Sequence, residues 1–147
     1  MLKVTTRMKK SRLDIEYTYD FELLGLISSA KGYRLAWEIN KLLGVKLVKQ
    51  PDLAIQQKNK PEMAYSHFAS GGILNRLKLF RNKPNETDTA KNLLVPEFPH
   101  LDYILLAEGE EHMEINRLQE LLTNIPSIEL VAFLPLAALK SKDNFIF

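Results

Sequence analysis

The chain has 147 residues, of which 46% are apolar and 26% charged, with a formal net charge of +2, 6 glycines, 7 prolines and no cysteine. This length supports one domain with a self-sufficient core, and the missing cysteines exclude disulfides, thiolate nucleophiles and Cys-ligated zinc. No apolar run approaches the roughly 20 residues of a membrane helix. The basic start lacks the apolar stretch of a secretory signal, so a cytoplasmic protein is the expectation.

Residues 1–11 show no clear periodicity and are expected to form a flexible basic leader ahead of a single α+β domain over 12–147. From Arg12 the chain alternates: Leu13, Ile15, Tyr17, Tyr19 and Phe21 are set against Asp14, Glu16, Thr18, Asp20 and Glu22. That is the period of a half-buried strand. The run 23–27 is apolar throughout and fits either a strand or the start of a helix. Ser28 and Ser29 offer an N-cap for a helix that stops at Gly44. Leu35, Ile39, Leu42 and Leu43 form its stripe, while Tyr33 and Trp37, four residues apart, define a second surface. Core or interface are both open for that surface.

Further strands are expected at 45–48, 63–69 and 73–81, the last two joined through Ser70-Gly71-Gly72. Arg76, Lys78 and Arg81 give the third of these a cationic face. Residues 82–92 read as a loop. The most apolar strand, 101–107, belongs at the centre of the sheet. A helix follows over 110–125 with Ile115, Leu118, Leu122 and Ile125 buried, then a strand over 128–133. Strands that follow one another without intervening helices argue for an α+β fold. The expected architecture is a mainly antiparallel sheet of five to six strands with two principal helices on one face.

Three strings carry a resemblance. Val95-Pro96-Glu97-Phe98-Pro99-His100-Leu101-Asp102-Tyr103 resembles the signature of the bacterial IPExxxVDY family of uncharacterised proteins, with Val95 for the usual Ile and Leu101 for the usual Val. Residues 33–40 resemble that family's helix segment, and residues 139–147 its ending. The signature residues are thus Val95, Pro96, Glu97, Leu101, Asp102 and Tyr103. The resemblance implies no assigned activity and so transfers no catalytic residue. It implies gene neighbours encoding ribonuclease III and pyruvate kinase, an association that leans toward RNA without supplying a mechanism.

Charge is unevenly distributed. Residues 1–95 carry 17 Lys and Arg against 9 Asp and Glu, whereas residues 96–147 carry 3 against 9. Such asymmetry can mark an anion-binding face or can neutralise itself across the fold. Glu97 and Asp102 are the carboxylates an acid–base pair would use, but backbone donors at a strand entrance explain them equally well. His100, Asp102, Glu108, Glu110, Glu111, His112 and Glu114 could hold a divalent cation in a metal-dependent hydrolase, yet helix-start acidity accounts for the glutamates. Nucleophile-elbow, Walker and dinucleotide glycine patterns are all missing. Arg76, Lys78 and Arg81 beside Phe80 could track a nucleic-acid strand, against a pI of about 8.8, below the value of about 9 that marks nucleic-acid domains.

The sequence therefore reads as a small non-enzymatic module without a cofactor. It binds a protein partner, a second copy of itself included, through Tyr33, Trp37 and Asn40. An RNA-associated accessory protein is the alternative.

Overall fold

Period-two alternation builds most of this architecture. The computed structural model describes residues 2–9, 12–19, 21–56, 61–70, 76–85, 92–108 and 115–145, giving only the backbone course of 2–9 and 12–19. Strands β1 (Leu2–Lys9) and β2 (Arg12–Tyr19) pair antiparallel as a separate ribbon. The register sets Leu2 opposite Tyr19, Val4 opposite Tyr17, Thr6 opposite Ile15 and Met8 opposite Leu13. The segment expected to be an unstructured leader is thus a strand. Its alternation of Leu2, Val4 and Met8 with Lys3, Arg7 and Lys9 is hidden by Thr6 and by the density of charge.

After β3 (Phe21–Ser28) come α1 (Gly32–Leu43), β4 (Val48–Lys49), β5 (Leu53–Ile55), β6 (Met63–Tyr65), β7 (His67–Ala69), β8 (Arg76–Arg81) and β9 (Tyr103–Glu108). Then follow α2 (Ile115–Leu122), β10 (Ile128–Leu134) and two 3₁₀ turns, Leu136–Ala138 and Lys140–Phe145. The main sheet has six strands in the order β10-β3-β9-β8-β7-β4, and each of its ladders is antiparallel. β9 lies inside the sheet with all six residues buried, as the apolar run predicts. The ambiguous run 23–27 is strand. The stretch 63–69 divides at Ser66, so that β6 pairs with β5 while β7 joins the main sheet. The architecture is α+β with a mainly antiparallel sheet.

Alternation then sorts the core into two layers. On one face Leu24, Leu26, Leu77, Leu79 and Leu105 pack under Leu35, Ala36 and Ile39 of α1 and Leu118 and Leu122 of α2. Burial of each such leucine or isoleucine stabilises by about 1.5–3 kcal/mol. Leu42, expected in this stripe, is exposed, and Ala36 takes its place. On the other face Phe21, Leu23, Phe80, Ile104 and Leu106 are covered by Leu94, Val95, Leu101, Leu139 and Phe145. Gly25 permits that cover: a Cβ there would lie 2.3 Å from Leu101 Cδ1.

The helix boundaries have local causes. Gly44 closes α1 in the left-handed conformation, φ 68°, and its N–H donates to the Asn40 carbonyl at 2.8 Å. The start is displaced from the expected serines: Lys31 occupies the N-cap and offers no side-chain cap. Asp102 takes the Ser28 N–H at 2.9 Å and holds Ser28 on the end of β3, while Ser28 Oγ accepts the Ala30 N–H at 3.2 Å.

Candidate functional site

The polar residues of 95–103 act on the backbone. Asn82, completely buried just after β8, organises them. Its Oδ1 accepts the Val95 N–H at 2.7 Å, and its Nδ2 donates to the Leu101 carbonyl at 2.9 Å and the Phe98 carbonyl at 3.4 Å. Its main chain closes the same loop, donating to Asp102 O and accepting from Leu94 N. Glu97 holds the start of the C-terminal 3₁₀ turn. Its Oε2 accepts the Lys140 and Ser141 N–H groups at 2.5 and 2.9 Å, and its Oε1 accepts the Ser141 hydroxyl at 2.7 Å. Burial pushes the Glu97 carboxyl up, but the Ser141 hydroxyl and the surrounding N–H groups outweigh it and hold the group below its ordinary range. Asn144 Nδ2 donates to the Leu94 carbonyl at 2.9 Å, completing the tie between the tail and residues 94–97.

At the other end of the signature, Tyr103 donates its hydroxyl to the Ala30 carbonyl at 2.6 Å. Burial raises the Tyr103 hydroxyl pKa, with Arg81 opposing and Asp102 reinforcing the shift. Glu97 thus lies against the tail and Asp102 against the end of β3. The two carboxylates that an acid–base pair would need are not brought into one cleft.

A cleft does open on the helix side, where α1 begins. Its volume is about 710 Å³, within the range of small-molecule sites. Phe68, Leu79 and Tyr103 supply apolar lining, Tyr33 stands at the helix start, and Lys31, Lys49, Arg81 and Lys83 contribute four cations. Asp102 is its one carboxylate. Lys49 is paired with Asp52 at 2.7 Å, whereas Lys31, Arg81 and Lys83 form no ion pair among the described residues. α1 has no acidic residue in its first turn, so the positive end of its dipole adds to this charge.

The expected basic patch is not assembled as one surface. Arg81 follows the parity of Leu77 and Leu79 toward the cleft, whereas Arg76 and Lys78 share the parity of Phe80 on the other side of the sheet. Arg76 stands 3.8 Å from Glu108. Phe80 is fully buried and stacks on His67 at 4.7 Å, so it cannot stack a base. Burial, then Lys78 and Lys49, lower the His67 pKa to about 4, against a backbone hydrogen bond at Pro51 and the charge of Asp52.

Of the expected interface residues, Tyr33 is 70% exposed and Trp37 51%. The Arg34 guanidinium lies 4.8 Å and the Lys41 ammonium 5.2 Å from the Trp37 ring centroid. Asn40 is drawn away from this surface: its Nδ2 donates to the Leu47 carbonyl at 3.2 Å and its Oδ1 accepts the Leu47 N–H at 2.7 Å. It closes the loop after Gly44 and so has a structural role.

For the metal reading, Glu110, Glu111, His112 and Glu114 lie outside the described residues. Among the described ones no group of three or more His, Asp or Glu could hold a metal ion. His100 packs edge-on to Phe98, and Glu108 is buried beside Arg76. No described helix is long and apolar enough to cross a membrane. Sequence reasoning missed Asn82, Ser141 and Asn144, whose long-range backbone bonds leave no periodic trace, and it missed Lys31 because the cleft joins distant segments. Comparison with protein-family models, curated proteins and solved structures gives no match.

Proposed function

We propose that the chain is a non-enzymatic interaction module that docks an acidic protein segment on the outer face of α1. The observation that carries this reading is Trp37, half exposed on a helix whose opposite face is buried, with two cations over its ring. Exposed Trp and Tyr supply most of the binding energy at interfaces because each buries a large area. The flanking Arg34 and Lys41 select for carboxylates in the partner. Glu38, the one acid on this helix, is already held by the Ser127 hydroxyl at 3.0 Å and by Arg34 at 3.5 Å.

Charge favours an acidic partner over a second copy of the chain as occupant. A two-fold dimer would set this patch against a second copy of itself, adding a second Arg34 and Lys41 to the same surface. The same proposal treats residues 95–103 as the signature of the IPExxxVDY family, with a structural role.

Calorimetric titration with a synthetic acidic peptide containing leucine tests this. Saturable binding that Trp37→Ala removes and Arg34→Gln weakens is expected. Absence of binding contradicts the proposal. A dimer in light scattering that Trp37→Ala dissolves would make the second copy the occupant. Tighter binding to a single-stranded oligonucleotide, falling steeply with salt, would favour the RNA-associated alternative.

A further inference from the structure

The acidic-segment reading uses the side of α1 and leaves the cleft at its start unexplained. Three of the cleft's cations, Lys31, Arg81 and Lys83, have no ion-pair partner among the described residues. They come from three places in the sequence: the N-cap of α1, the last residue of β8 and the turn after it. Convergence of like charges is unfavourable for the fold, and among the described lining residues one carboxylate, Asp102, stands against four cations, with its Oδ2 accepting the Ser28 N–H.

We infer that this cleft binds the phosphate of a small phosphorylated metabolite of mononucleotide size. Phosphate fits the donor set better than a carboxylate does. Arg81 offers a planar fork for two of its oxygens, and Lys31 and Lys83 are point charges for the others. The start of α1 adds backbone donors: Lys31 supplies no side-chain cap, and intrahelical bonding begins with the Leu35 N–H to the Lys31 carbonyl at 2.9 Å, so the N–H groups just before it have no intrahelical acceptor. Gly32 lets this backbone approach the cleft floor, since a Cβ there would stand 3.1 Å from Phe68 Cε1. The volume of about 710 Å³ admits a whole small ligand. Phe68 and Leu79 line the space with apolar surface, and the exposed Tyr33 ring at its edge can lie against a flat group. A polymer is disfavoured, because the cations that would continue a track along β8, Arg76 and Lys78, belong to the opposite face of the sheet.

The test uses the full chain, with adenosine monophosphate, adenosine and inorganic phosphate titrated separately and followed by amide chemical shifts. Adenosine monophosphate is expected to shift residues 28–33, 66–68 and 81–83, inorganic phosphate a subset of them, and adenosine none. Arg81→Gln and Lys83→Gln should each raise the dissociation constant for adenosine monophosphate about tenfold or more, the loss of one charge-assisted hydrogen bond, with Arg81→Lys intermediate. Thermal melts of the same variants confirm that they are folded. Trp37→Ala should leave this binding unchanged, which separates failure here from failure of the acidic-segment reading. No shift with either phosphate compound, or shifts that persist in the Arg81→Gln/Lys83→Gln double variant, would overturn the inference. So would binding confined to a long oligonucleotide.

Discussion

The two faces of the six-stranded sheet differ in how their exposed and charged groups are held, although Asp102, Tyr103 and Asn40 bind main chain on the helix side too. On the face covered by residues 94–101 and the tail, carboxylates and amides are tied to main chain: Glu97 to residues 140 and 141, Asn82 to residues 95 and 101, Asn144 to residue 94. On the helix face, α1 carries Tyr33 and Trp37 in solvent and borders a cleft in which Lys31, Arg81 and Lys83 form no ion pair among the described residues. Polar groups held by the backbone maintain a fold. Exposed aromatics, and cations without an ion pair among the described residues, are available to something else. The motif that stands out most in the sequence therefore marks the part of the molecule that holds the structure together.

The sharpest way to break this contrast is at Asn82. Replacing it by Leu leaves the Val95 N–H and the Leu101 carbonyl buried without partners, each costing about 1–3 kcal/mol. Asn82→Leu should therefore lose about 4 kcal/mol in chemical denaturation, one of the largest single-site effects. A loss under about 1 kcal/mol would mean that the cover is held by apolar packing alone.

Gly25 gives the next effect. Gly25→Ala drives a methyl group into Leu101 Cδ1, an overpacking worth about 1–3 kcal/mol. Adding Leu101→Val should recover more than half of the loss, because contacting sites couple. Failure of that rescue would place the strain elsewhere.

Glu97→Gln should cost about 1–2 kcal/mol near neutrality. Since hydrogen bonding holds the Glu97 carboxyl below its unfolded value, its contribution is complete above the unfolded pKa. It is lost as pH falls through the folded one. Wild-type and Glu97→Gln stability curves should converge in acid, and parallel curves would show that the carboxylate contributes no proton-linked stability.

Legibility in the sequence follows the same division. Residues 12–19 were legible from their period-two alternation, the centre of the sheet from its unbroken apolar run, and the end of α1 because Gly44 adopts positive φ. The start of α1 was not, since Asp102, 74 residues away from Ser28, pulls that serine out of the capping position. The division of 63–69 at Ser66 was hidden because a single apolar stretch serves two different partner strands. Arg76, Lys78 and Arg81 looked like one patch because they are close in sequence, but Arg81 differs in parity from the other two and so lies on the opposite face. The cleft was invisible because residues 31, 49, 81, 83 and 102 meet only in the folded chain.

The claim that the helix-face cations serve something other than the fold is tested most directly by melting the Lys31→Gln/Arg81→Gln/Lys83→Gln triple variant against the wild type, without ligand and at low salt. Surface changes away from packing or capping features alter stability by no more than about 0.5 kcal/mol each, and removing repulsion among like charges acts in the favourable direction. The account predicts a melting temperature equal to or above that of the wild type. A clear fall would show that these cations hold the structure together and that the two faces do not differ in kind.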